Sequence, residues 1–146
     1  MLVETTRFGQ IEVSEDNIIR LEPGLLGFDN INRYCLLEWK PGSPIKWLQA
    51  VDCPSLAFLV VDPFEFFPDY EIEVSDEIAE ALGLKDSRDL AAFVTLTVSP
   101  STKQITANLL GPILVNMSSR VGRQVVLQSE KYTTKHAIGN SCQQAA

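Results

Sequence analysis

One histidine (His136), three cysteines (Cys35, Cys53 and Cys142) and nineteen carboxylates are the side chains of this 146-residue sequence that could carry chemistry. His136 follows Lys135 beside a polar C-terminal stretch, with nothing nearby in sequence to tune an imidazole for acid–base work. No serine or cysteine sits in a Gly-x-Ser-x-Gly nucleophile elbow. The cysteines are odd in number and widely spaced, with no Cys-x-x-Cys pair. That disfavours a secreted disulfide framework and a cysteine-built zinc site alike. Cys35 lies in the apolar run Tyr34–Trp39 and reads as a buried, inert thiol. Gly24 and Gly27 match neither a dinucleotide fingerprint nor a phosphate loop. No catalytic residue, metal ligand or cofactor is expected.

The carboxylates speak through their placement. Residues 62–89 hold ten of them (Asp62, Glu65, Asp69, Glu71, Glu73, Asp76, Glu77, Glu80, Asp86, Asp89) against Lys85 and Arg88, a net of −8 that exceeds the −7 of the whole chain. Residues 90–146 are basic, with Glu130 opposed by Lys103, Arg120, Arg123, Lys131 and Lys135. An acidic surface repels a phosphate backbone, so direct nucleic-acid binding is not expected. It attracts a basic protein and speeds the encounter with one. Within this segment, Asp62–Glu71 packs Phe64, Phe66, Phe67 and Tyr70 among two prolines and four acids. Two readings stay open: the phenylalanines plug one end of the fold, or one or two remain exposed inside a carboxylate rim, as interface hot spots do. The glycine-framed stretch Gly24–Asn30 (GLLGFDN) carries the same ambiguity.

The elements that must position these residues are mostly strands. Apolar and polar residues tend to alternate over Val3–Phe8 and Ile11–Val13, predicting a tight hairpin around Gly9-Gln10. Asn17–Leu21, Arg33–Trp39, Ile45–Val51 and Leu56–Val61 read as further strands, separated by Pro23-Gly24, Pro41–Pro44 and Asp52–Ser55. Ser75 is a good N-cap for one short helix, with Asp76 and Glu77 in its first turn and Gly83 to stop it. Leu90–Val98 and Gln104–Leu110 then pair around Ser99–Lys103, and Pro112–Asn116 and Gly122–Leu127 around Met117–Val121. About ten short strands at this spacing, with one or two short helices, predict an all-β domain, an antiparallel sandwich or barrel. The domain is expected over 1–139, with a polar tail at 140–146. No apolar run approaches the roughly 20 residues of a membrane span, and the N-terminus lacks a signal-peptide core. The chain is expected in the cytoplasm, as a monomer when free.

The sequence also resembles a known family along nearly its whole length. The matching stretches are Phe8–Ile11, Ile18–Phe28, Leu48-Gln49, Pro63–Glu71 (PFEFFPDYE), Leu96–Val98, Thr106–Asn116 (TANLLGPILVN), Gln124–Leu127 and Tyr132–His136 (YTTKH). In this order and spacing they are similar to FliW, the flagellar assembly factor of bacteria, with Gly111 where alanine is expected. The resemblance implies a partner switch. FliW proteins bind CsrA, a small basic RNA-binding repressor, and keep it from silencing flagellin mRNA; they also bind flagellin, which displaces CsrA. Carried to this sequence, that implies CsrA binding by Asp69, Glu71, Glu73, Asp76 and Glu77, with Phe66 and Tyr70 as anchors. For flagellin, whose unassembled terminal segments are amphipathic, Leu25, Leu26 and Phe28 of the glycine-framed loop and Asn108 and Leu109 are the candidates. Two readings compete: a flagellin secretion chaperone with no regulatory partner, and a small-molecule-binding barrel, which a large interior cavity with converging polar groups would favour.

Overall fold

The computed structural model describes residues 1–138 other than Pro23, Leu26 and Ser129. The expected tail at 140–146, with Cys142, therefore lies outside the described residues. Among the described residues eleven strands run in chain order: β1 Leu2–Thr5, β2 Gly9–Glu12, β3 Ile18–Leu21, β4 Arg33–Glu38, β5 Lys46–Ala50, β6 Ala57–Val61, β7 Leu90–Val98, β8 Ile105–Ala107, β9 Ile113–Asn116, β10 Val121–Gln124 and β11 His136–Ala137. One α-helix, α1, spans Asp76–Ala81. Among the described residues no helix is long and apolar enough to cross a membrane.

Seven strands close a barrel in the order β7-β6-β5-β4-β3-β10-β9, with β9 returning to β7. The closure depends on the length of β7. Leu90–Phe93 pair with β9, whereas Val94–Val98 pair with β6 and β8. Strand β11 extends the sheet beyond β8. The fold is a barrel rather than a sandwich, and one pairing departs from the antiparallel expectation: β10 lies parallel to β3, through Val121↔Arg20 and Gly122↔Leu21.

Alternation along the strands sorts side chains into an interior and two outer cores. Ile19, Tyr34, Ala50, Leu48, Val60, Ile113 and Val115 fill the barrel interior. On the outside, Val3 and Val13 of the N-terminal hairpin cover Cys35, Ile18 and Leu37. A second outer core, with Val61, Val94, Leu96 and Ala107, is roofed by Phe66, Phe67, Tyr70 and Ile72 of the acidic segment. Cys35 is buried as expected, and burial raises its thiol pKa. Gln49 is buried too, its amide donating to carbonyls of the next turn, including those of Ala50 and Pro54.

Several boundaries moved for local reasons. The first hairpin turns at Thr6–Phe8, because the Thr5 hydroxyl accepts from Phe8 N–H (2.8 Å) and donates to Gly9 C=O (2.8 Å), while Gly9 takes φ +70°. The strand expected over Gln104–Leu110 ends at Ala107, since Leu109 N–H turns to Thr133 C=O. Three single-turn 3₁₀ helices, capped by Ser14, Asp62 and Asp86, were not anticipated. Helix α1 matches its expectation: Ser75 Oγ accepts from Ile78 N–H and Gly83 follows the helix at φ +63°.

Candidate partner-binding surface

Asp62 starts the roofing segment by accepting from Phe64 N–H (2.9 Å), with Pro63 at the first helical position. Phe67 N–H then bonds Pro63 C=O and Tyr70 N–H bonds Phe67 C=O, curling the chain back over the second outer core. From residue 69 to residue 75 the chain alternates: Asp69, Glu71, Glu73 and Ser75 are exposed, and Tyr70, Ile72 and Val74 turn inward. Asp76 and Glu77 continue the exposed acidic face onto the first turn of α1, where negative charge suits the helix dipole. The helix is moored at its other end by Asn116, whose side-chain amide donates to Leu82 C=O (2.9 Å) and Gly83 C=O (3.3 Å). None of these five carboxylates forms an ion pair with a described residue.

Tyr70 fixes this surface from below. It is 5 % exposed, and its hydroxyl donates to Leu109 C=O at 2.5 Å. Its ring meets Tyr132 edge-on, centroids 4.7 Å apart, and the Tyr132 hydroxyl accepts from Glu71 N–H at 2.9 Å. Burial pushes the Tyr70 phenol pKa up, and the neighbouring Tyr132 adds to the shift. His136 completes the cluster against Phe67 and Tyr132. It is half-buried on β11, not a free surface imidazole, and its Nε2 has no hydrogen-bond partner among the described residues. Phe66, Tyr70, Leu109, Tyr132 and His136 line an open depression of about 480 Å³. Both readings of the aromatics thus hold in part. Phe66 and Phe67 pack half-buried on the core while Phe64 keeps 45 % of its surface in solvent.

The five carboxylates named for CsrA are all exposed and Phe66 is half-buried, whereas Tyr70 is buried and supports the segment from beneath. Those named for flagellin do not form one apolar patch. Leu25 and Leu109 are buried, Asn108 is half-buried and accepts from Gly111 N–H, and Leu26 lies outside the described residues. Phe28 alone of these is exposed, edge-on to Phe58 at 5.4 Å. Its loop is compact because Gly24 permits it: a Cβ there would stand 2.3 Å from Phe28 O and 2.6 Å from Ile31 O. Sequence reasoning missed Tyr132 and His136 as parts of the acidic surface. Their signal was the aromatic spacing in Tyr132–His136, uninterpretable without knowing which strand lay beside it.

The FliW protein family model matches residues 2–138. The chain belongs to the FliW family. It is 43 % identical over 142 residues to the flagellar assembly factor FliW of Natranaerobius thermophilus, covering 96 % of this chain and 93 % of that one. It is 40 % identical over 140 residues to the FliW of Alkaliphilus metalliredigens, with 94 % and 86 % covered. A crystal structure of the flagellar assembly factor FliW superposes with a TM-score of 0.86 at 38 % identity, covering 94 % of this chain and 96 % of that one. The FliW fold thus accounts for nearly the whole described chain.

Proposed function

We propose that this chain is a cytoplasmic, non-enzymatic flagellar assembly factor that binds CsrA and prevents it from repressing flagellin mRNA, and that flagellin binding displaces CsrA. The relatives' designation as flagellar assembly factors supports the assembly role. The observation that carries the CsrA reading is the exposure of Asp69, Glu71, Glu73, Asp76 and Glu77 together, on a segment anchored by Tyr70 and the Ser75 cap and with Lys131 the one cation lining the hollow beside Glu71 and Glu73 among the described residues. Such a face attracts a basic RNA-binding protein and repels the RNA that competes for it. The barrel interior is packed with Ile19, Tyr34, Val60, Ile113 and Val115, which disfavours the small-molecule reading.

Titration of CsrA with Glu71→Lys and Asp76→Lys proteins tests the site. Weaker binding with a shallower salt dependence is expected, and unchanged affinity would place CsrA elsewhere. Co-purification from a flagellated bacterium tests the switch: CsrA should be recovered when flagellin is absent and lost when it accumulates.

A further inference from the structure

Strand β10 does not stop pairing where its regular ladder ends. Val125 N–H bonds Pro112 C=O (2.9 Å) and Leu127 N–H bonds Leu110 C=O (2.8 Å), continuing the register of β10 on β9. On its other edge β10 pairs with β3 at Val121 and Gly122 among the described residues, and Glu22 N–H takes the Gly122 carbonyl. Successive residues of a strand point their N–H groups to opposite edges. Val126 and Gln128 therefore aim theirs at that other edge, and neither has a hydrogen-bond partner among the described residues.

The facing wall is also unpaired among the described residues. Ile72, Glu73 and Val74 make no backbone hydrogen bond, as donor or acceptor, with any described residue. Between the walls runs a groove of about 600 Å³ lined by Glu73, Val74, Ile78, Val125, Val126 and Leu127. It continues into a smaller hollow of about 230 Å³ flanked by Glu71, Glu73, Lys131 and Tyr132. Val126 leaves 55 % of its surface in solvent. An exposed strand edge with an apolar floor is a template for an added strand, and Glu71 and Glu73, which outnumber Lys131 beside them, select its charge.

We infer that the groove between Ile72–Ile78 and Val125–Gln128 captures an extended segment of a partner protein, alternating apolar and basic residues, as an added strand on the Val126–Gln128 edge. This rests on the reading of the acidic face as a docking surface and specifies the form of what docks. The segment's backbone pairs with Val126 and Gln128, its apolar side chains meet Val126 and Ile78, and its basic ones reach Glu71 and Glu73.

The probe is a capped peptide of alternating valine and lysine, titrated into the full chain by calorimetry and by amide NMR. Binding with exchange protection of the Val126 and Gln128 amides is expected; perturbation confined to other residues overturns the inference. Methylating the peptide's backbone nitrogens keeps its side chains and removes its donors, so affinity should fall on the order of tenfold or more; equal affinity overturns strand addition. Val126→Pro removes an outward N–H that no described residue accepts, and should release the peptide without unfolding the barrel, whereas Val126→Ala, which keeps the N–H and trims the side chain, should weaken it less. If Glu73→Lys releases the peptide while Val126→Pro holds it, the acidic docking face stands and the strand pairing falls. If Val126→Pro releases it while Glu73→Lys and Glu71→Lys hold it, the basic occupant falls. Dimerisation of the chain alone, abolished by Val126→Pro, would assign the edge to a second copy and overturn the inference.

Discussion

The Tyr70 hydroxyl donates to the Leu109 carbonyl from beneath the acidic face, joining two residues 39 positions apart in sequence. Both were candidate contact residues for different partners, and the structure makes them one support. The bond ties the roofing segment to the end of the β7–β8 hairpin, so disturbing either side moves the carboxylates above.

Tyr70→Phe and Tyr34→Phe should therefore differ although both remove a buried phenol oxygen. The first leaves the Leu109 carbonyl without its donor and is expected to destabilise the protein by about 1–3 kcal/mol. The second removes a hydroxyl that has no partner among the described residues, deep in the barrel interior, and should be neutral or mildly stabilising. Chemical denaturation of the two variants side by side checks the contrast, and equal losses would refute it.

Alkaline pH should unfold the protein through the same two phenols. Desolvation pushes the Tyr34 pKa up to about 12 from the ordinary phenol value of 10.0, and Tyr70 is raised as well. A folded-state pKa above the unfolded one means that this stability is complete below pH 10 and is lost as pH rises toward the folded values. A denaturation midpoint that is steady up to about pH 9 and falls above pH 10 is expected; in Tyr34→Phe the fall should be shallower.

The acidic face depends on the two ends of α1. Ser75→Ala removes the N-cap and should cost about 0.5–2 kcal/mol. Asn116→Ala strips the Leu82 and Gly83 carbonyls of their donor, also empties a buried side-chain site, and should cost at least as much. Amide exchange should show the loss confined at first to 76–84, with the barrel strands still protected. Uniform loss across the barrel would show that the helix is not a separable unit.

Two glycines should respond oppositely to alanine. Gly24→Ala drives a methyl into the carbonyl oxygens of Phe28 and Ile31 and should destabilise by more than 1 kcal/mol. At Gly111 the nearest atoms are the side-chain amides of Gln124 (3.0 Å) and Asn108 (3.2 Å), which can shift. Gly111→Ala should fall within about 1 kcal/mol of the parent, as its replacement of an expected alanine implies. Thermal melts of both variants decide this.

CsrA affinity, under the proposed function, should fall steeply as salt rises from about 0.05 to 0.3 M. A flat salt dependence would mean that the exposed carboxylates do not face the partner.

Composition and local pattern by themselves determined the β-rich class, most strand positions, the Ser75 cap with Asp76 and Glu77 behind it, and the charge gathered in residues 62–89. These depend on neighbours a few residues apart, through alternation, turn chemistry and capping. The alternation of Asp69, Glu71 and Glu73 with Tyr70, Ile72 and Val74 was equally visible in sequence. Which residue of each pair faced solvent, and what the inward ones met, was decided by strand pairing across long separations. Only the tertiary structure closed β7 on β9, set β10 parallel to β3, buried Tyr70 against Leu109 rather than presenting it, and left the Val126 and Gln128 amides without a partner among the described residues. A sequence states which groups can pair; the closing of the barrel decides which of them do.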